Sequence, residues 1–576
     1  MGNVLSPYTV TEHEVKLPGA RGSIKGLEFD SKVRRYAGIP YALPPTGEFR
    51  WKKPRPIPKE YHYEEPLGAP YDGRKFGPVC PQAKFASLAE QGKSEAAYSE
   101  DCLRVNIWTP VGKPGEYEKK YPVMLWIHGG WFQIGDPSQE EGMDPTELIS
   151  TGGLNAVFVA VGYRLNIFGF LSGQELKNES GDGSVGNYGL WDARLAMEWV
   201  HENISAFGGD PNNVTLGGRS AGAYAVHAQV LHDFRKQPAP APDNTLFHRF
   251  LMFSNAIPAQ PRPLAETQPQ FEELCEYFKI PETLTGAEKL SELRKFDACD
   301  LVSSIEHLKN HTFRPITDED FILSGMIQYQ RSGEFAKEFR KRGLKLLIGE
   351  MLNEESLYSV YNPPEPNEES LRLQIANYYG PTTADRVLPW YRVPRSNDEK
   401  EWRSLYGSII SDGQVRAPSR FLANSLIEHG VKIKDIWRYQ IAYRMSFIDE
   451  NAAPMEWGVT HAMDRPVWNF SILHGPTPAE RVLMEDWIKD LVAFVNNYED
   501  YSYGTTKIDE LKVMTPERTI ELTSSNNEIL SNGTDKFFDN SSVVVGFFPY
   551  YRECPNSAQG IEVPRIQTKA KAWHDE

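Results

Sequence analysis

The segment Val214-Thr215-Leu216-Gly217-Gly218-Arg219-Ser220-Ala221-Gly222-Ala223-Tyr224 constrains the fold of this chain more than any other. A short apolar run enters Gly218-x-Ser220-x-Gly222, and an alanine-rich stretch from Ala221 to Leu231 leaves it. A strand, a tight turn and a helix are expected in that order, with Ser220 at the bend. Glycines on both flanks are needed because the backbones approach there too closely for a Cβ. Such a bend strains the serine, presents its Oγ to a reactant, and sets a helix N-terminus behind it to favour developing negative charge.

The flanking sequence supplies a sheet for that turn. Leu103–Trp108, Val123–Ile127 and Ala156–Val161 are short apolar runs bounded by polar residues or glycine, the pattern of strands buried on both faces. Phe250–Phe253, Lys345–Ile348 and Ile436–Tyr439 read the same way. Leu190 to Ile204 has helical spacing and stops before Phe207-Gly208-Gly209-Asp210-Pro211, while 265–340 and 366–430 are mostly helix-patterned. Strands alternating with helices predict an α/β fold, a large mostly parallel sheet with helices on both faces. Residues 8–40 add a small N-terminal antiparallel sheet, read from short alternating runs separated by glycine turns. Without repeats or low-complexity linkers, 1–560 is expected to be a single domain and 561–576 a C-terminal tail.

A net charge of −16 is the wrong sign for gripping phosphate backbones, so no nucleic-acid partner is expected. No apolar run reaches the ~18–20 residues that span a bilayer, so no stable membrane insertion is expected. The first residues lack the basic start and apolar middle of a signal peptide, which makes the cytoplasm the expected compartment. Met1-Gly2-Asn3-Val4-Leu5-Ser6 fits the N-myristoylation pattern at Gly2, though one acyl chain gives only weak membrane affinity. Five cysteines, Cys80, Cys102, Cys275, Cys299 and Cys554, include no Cys-x-x-Cys pair, and no metal site is expected.

Upstream of the bend, Trp126-Ile127-His128-Gly129-Gly130-Trp131-Phe132 follows a buried strand. Glycines there let backbone amides point at a carbonyl oxygen, so Gly130 and Trp131, with Ala221 after the serine, are candidates for an oxyanion hole. Ser99-Glu100-Asp101-Cys102-Leu103, Asn187-Tyr188-Gly189-Leu190-Trp191-Asp192 and Asn203-Ile204-Ser205-Ala206-Phe207-Gly208-Gly209-Asp210-Pro211 complete a set of ordered motifs. With them the chain, from about residue 8 to 555, resembles the type-B carboxylesterase/lipase family of α/β-hydrolases, which includes the cholinesterases. Its texture is most similar to that of intracellular fungal members.

The resemblance implies the rest of the site. The family's acid aligns with Glu354 in Gly349-Glu350-Met351-Leu352-Asn353-Glu354-Glu355-Ser356, where Asn353 and Glu355 depart from the family pattern and leave Glu355 or Glu350 as alternatives. Its histidine matches His461 in Gly458-Val459-Thr460-His461. The order Ser220, Glu354, His461 implies acyl transfer through a covalent intermediate, with no cofactor and with a small-molecule ester as partner. The family's disulfide-closed flap would join Cys80 to Cys102, although cytosolic thiols can remain free; little apolar surface there favours a soluble esterase over an interfacial lipase. Arg50 is expected to pair with Glu100, and Ser254 to sit behind the triad.

Two departures bear on substrate. Arg219 stands where the family usually has Glu; a guanidinium facing the site would repel cationic esters and favour neutral or anionic ones, whereas one facing a structural carboxylate would have no such effect. Trp131 replaces a glycine and is expected to narrow the pocket against bulky tertiary-alcohol esters. Two other functions share these residues: a biosynthetic acyltransferase or cyclising thioesterase, in which a substrate hydroxyl replaces water, and a non-catalytic binding protein. Neither natural substrate nor oligomeric state is legible.

Overall fold

The computed structural model describes residues 8–524 apart from 66–67, 84–96, 113–119, 139–143, 237–244, 452 and 474. Gly2, Cys554, the middle of the Cys80–Cys102 flap and residues 525–576 therefore lie outside the described residues.

A 14-stranded sheet organises everything else. Seven neighbouring strands run parallel: Val157–Val161, Tyr121–Ile127, Gly209–Arg219, Arg249–Phe253, Leu346–Met351, Ile436–Ile441 and Glu510–Met514. Both flanks are antiparallel: Ile520–Ser524 closes one, and Arg104–Pro110, Val33–Pro40 and Ser23–Phe29 extend the other. The expected strands within 8–40 are thus present, but Val10–Lys16, Ser23–Phe29 and Val33–Pro40 continue the central sheet. The separate small antiparallel pair near the N-terminus is Ala42–Leu43 with Arg55–Pro56.

Strand parity divides the core. Leu125, Ile127, Val159, Leu216, Met252 and Ile348 pack on one side of the sheet, and Met124, Trp126, Phe158, Leu251, Phe253 and Leu347 on the other. Successive side chains point to opposite faces, so continuous apolar runs require a helical cover on each. Tyr188–Asn203 and Ala221–Arg235 cover the first face. Pro478–Asn496 covers the second with Leu483, Met484, Trp487, Ile488 and Leu491, a helical stripe whose members stabilise by about 1.5–3 kcal/mol each. That helix starts where its sequence predicts: Pro478 is its first residue, and Thr477 and Glu480 form a reciprocal capping box.

Several buried charges on the scaffold are paired. Arg164 makes a two-pronged contact with Asp192, and Arg194 meets Asp233. Arg50 grips Glu100 at 2.7 and 2.5 Å, as expected. Among the described residues no helix is long and apolar enough to cross a membrane.

Candidate active site

The strand Gly209–Arg219 runs into Ser220, and the helix Ala221–Arg235 starts at the next residue. Ser220 has φ 55° and ψ −126°, a conformation that L-residues rarely adopt. The two flanking glycines show why the turn tolerates nothing larger. A Cβ on Gly218 would stand 2.4 Å from the Gly222 carbonyl carbon, and one on Gly222 would stand 2.0 Å from the Ile127 oxygen. The Ser220 amide is held by the Phe253 carbonyl at 2.8 Å.

The loop after Tyr121–Ile127 is pressed against this turn. A Cβ on Gly129 would meet the Ser220 Cβ at 3.0 Å. Gly130 (φ 108°), Trp131 (φ 56°) and Phe132 (φ 66°) all take positive φ, closed by amides of Gln133 and Ile134 bonding to the Gly130 carbonyl. Consecutive strained bulky residues of this kind are sustained only by surrounding contacts. Ala221 is the first helical residue, so its N–H has no acceptor within its own helix. The Trp131 indole stacks on Tyr361 with centroids 4.1 Å apart.

Glu354 and His461 meet although 107 residues separate them. His461 Nδ1 lies 2.5 Å from Glu354 Oε2, and both residues are buried. The other carboxylate oxygen accepts the Met351 amide at 2.7 Å, which fixes its rotamer. Asn353 docks the histidine segment: its amide donates to the Val459 carbonyl at 2.9 Å, and its Oδ1 accepts the Val459 amide at 3.0 Å. Thr460 Oγ1 accepts the Leu357 amide at 2.9 Å. The departure at Asn353 therefore fastens one loop to the other. The alternative acids are engaged elsewhere, Glu355 with Arg416 at 2.6 Å and Glu350 with Arg420 at 3.2 Å.

Tyr358 brings the halves together. Its ring is 4.9 Å from that of His461, and its phenol faces the Ser220 hydroxyl. Burial, then the Glu354 charge, push that phenol well above the usual tyrosine range, and the Ser220 contact works the other way to a smaller extent. Sequence reasoning did not find Tyr358, four residues past Glu354 with no motif of its own.

Two expectations are corrected. Arg219 does not face the reacting groups. It precedes Ser220 on a strand and so points to the opposite side of the sheet, where its Nε donates to Asp464 Oδ1 at 3.0 Å with both side chains buried. Of the two sequence readings, the structural carboxylate is the one present, and repulsion of cationic esters by Arg219 loses its basis. Cys80 and Cys102 are buried thiols and do not form a disulfide. Contact with Cys80, then burial, raises the Cys102 thiol well above its usual range. Ser254 lies as expected, fully buried at the end of the strand next to that of Ser220, with its amide on the Gly349 carbonyl and φ 53°.

Comparison with known proteins accords with this geometry. The family model described as the carboxylesterase family matches residues 11–538. An uncharacterised esterase/lipase of Schizosaccharomyces pombe is 38% identical over 499 residues, covering 85% of this chain and 89% of that protein. A carboxylic ester hydrolase of Gibberella moniliformis is 33% identical over 509 residues, covering 86% and 90%. A fumonisin B1 esterase of Sphingopyxis macrogoltabida is 29% identical over 429 residues, covering 73% and 69%.

Proposed function

The chain belongs to the carboxylesterase family, and from that premise we propose that it is a serine carboxylic-ester hydrolase working through an acyl-enzyme on Ser220. The supporting observation is the strained Ser220 turn together with a buried histidine whose Nδ1 is held by a carboxylate at 2.5 Å, both of them next to Tyr358. Ser220 Oγ attacks the ester carbonyl while His461 Nε2 takes its proton, and the carbonyl π electrons move to oxygen. Collapse of the tetrahedral intermediate expels the alkoxide, which leaves as the alcohol with the proton from His461. Water repeats the sequence on the acyl-enzyme and releases the acid. Glu354 holds the imidazole tautomer with Nε2 facing the serine and stabilises the imidazolium once formed.

Amides of Gly130, Trp131 and Ala221 receive the oxyanion; removing one such donor elsewhere costs about 3 kcal/mol of transition-state stabilisation. The positive φ values of Gly130 and Trp131 turn that loop toward the nucleophile. The substrates are small to medium esters, and the compartment is the cytoplasm. A panel of p-nitrophenyl esters, assayed with the wild type and Ser220→Ala, tests the reading. Hydrolysis should fall by about 10⁴-fold or more in the variant; equal rates in the two proteins would remove Ser220 from the chemistry.

A further inference from the structure

Beside the nucleophile lies a second set of polar groups to which the ester chemistry assigns no task. Arg262 and Arg314 are both more than nine-tenths buried and line one narrow cavity with Tyr224, Gln260, Tyr378 and Gln414. Tyr224 is one helical turn past Ser220, and its amide donates to the Ser220 carbonyl at 3.0 Å. Arg314 Cζ is 5.6 Å from the Tyr224 ring centroid and 5.9 Å from that of Phe132, which follows Trp131 on the strained loop. Gln133 on the same loop grips the backbone of Phe313 at both its N–H and its carbonyl. The arginine is thus fixed to the machinery around the reacting carbonyl.

Charge sets the pair apart. Arg164, Arg194, Arg219 and Arg416 are each buried against an acid. Among the described residues no carboxylate lies within ion-pair distance of Arg262 or Arg314. Glu266 acts on Arg262 only from beyond that range. Burial, and next the positive field of Arg314, hold the Arg262 guanidinium down to about 10. Arg249 is also buried without an acid, but it donates to Thr215, Asn213 and the Val495 carbonyl. Arg262 donates to no group among the described residues, and Arg314 has one oxygen partner, the Gln414 side chain at 3.1 Å, with the Tyr378 ring 4.9 Å away. A π-helical turn at Asp412–Arg416 carries Gln414 to this place; such turns recur at functional sites.

We propose that Arg262 and Arg314 form a subsite for a free carboxylate on the substrate, so that the preferred esters are anionic, bearing a second acid group in the acyl or the alcohol part. The inference rests on the serine-esterase reading, whose site it completes. Two guanidiniums across a narrow cavity offer planar donor edges matched to carboxylate geometry. A bound anion also offsets their mutual repulsion in a site from which water is largely removed. The electrostatic selection first expected of Arg219 is placed here instead, on the side of the sheet where the nucleophile helix packs.

The test uses the full-length protein and two pairs of near-isosteric esters: p-nitrophenyl valerate against mono-p-nitrophenyl glutarate, and phenyl butyrate against 4-carboxyphenyl butyrate. We expect the wild type to favour the charged member of at least one pair by about tenfold in kcat/KM, and Arg314→Gln or Arg262→Gln to abolish that preference, read as the ratio of charged to neutral ester within each variant. A wild type that prefers the neutral member of both pairs overturns the subsite, as does a preference that survives both substitutions. Binding of monomethyl glutarate to Ser220→Ala, followed by titration calorimetry, reads the subsite without turnover and without a substituted arginine. Tighter binding than of methyl valerate supports the proposal, and equal binding overturns it. Loss of turnover toward all four esters, with that binding contrast intact, would fault the nucleophile and leave the subsite standing.

Discussion

Two groups of buried arginine flank the same serine and differ in one respect. Arg219, on the far side of the sheet, is matched to Asp464 across 245 residues. Arg262 and Arg314, on the near side, share a cavity with tyrosines and have no acid in contact. The first pairing spends its charge inside the protein and fastens the histidine segment to the nucleophile strand. The second leaves positive potential unspent beside a reactive hydroxyl. Burial alone therefore does not say what an arginine is for; what its donors meet inside the protein must be asked of each one.

The sharpest way to break that comparison is Asp464→Asn, which strands a buried guanidinium. It should lower unfolding free energy by about 3–5 kcal/mol, measured by denaturant titration. A loss below about 1 kcal/mol would mean that Arg219 finds compensation without Asp464. The double variant Arg219→Met/Asp464→Leu should recover most of the loss, since replacing both members of a buried pair with apolar groups is often neutral. On the near side the expectation is reversed. Arg314→Met removes a charge that no acid matched, and stability should stay within about 1 kcal/mol of wild type or rise, with the cost confined to charged esters.

Imidazoles in the same layer sharpen the contrast, because they escape the cost of burial by staying neutral. Burial holds His227 down to about 3 and His232 down to about 4. His227 Nδ1 also accepts the Ile257 amide at 3.1 Å, a bond the protonated ring cannot make. Between pH 6.5 and about 4 the unfolded chain binds these protons and the folded one does not, so their share of stability, full above pH 6.5, is lost as pH falls through that window. Asp318 runs the other way: burial raises it to about 6, so its share, full below its ordinary 3.8, is lost as pH rises through about 6. His227→Gln should flatten the acid limb of a melting-temperature profile; an unchanged slope would remove the histidine from it. Smallest of all, Trp131→Gly should raise turnover of tert-butyl relative to ethyl esters by a few-fold, about 1 kcal/mol or less. An unchanged ratio would show that the indole, stacked on Tyr361, does not limit the pocket.

Much of this was legible before any coordinates. Val123–Ile127 and Val157–Val161 are apolar at every position or nearly so, which only a strand covered on both faces explains. Gly218-x-Ser220-x-Gly222 announced its turn because one glycine answers a steric demand within the turn and the other the close approach of the neighbouring strand end at Ile127. Glu510–Met514 and Ile520–Ser524 escaped notice, since short, partly polar strands at the end of the sheet carry little periodic signal. Three glutamates in six residues left the choice of acid to resemblance; tertiary pairing separates them, with Arg420 and Arg416 taking two and His461 the third. The direction of Arg219 was within reach, because neighbours on a strand face opposite ways and Ser220 had already claimed one side. Arg262, Arg314, Tyr358 and Asp464 had no such signal, each acquiring its meaning from partners distant in sequence.

The docking of Asn353 onto Val459 and of Arg219 onto Asp464 also orders events during synthesis. The hydroxyl's turn emerges from the ribosome with less than half the chain made, but the imidazole-bearing segment that docks on Asn353 and Arg219 arrives more than two hundred residues later. A chain that stops before His461 therefore lacks the base that the serine needs, however well its turn has formed.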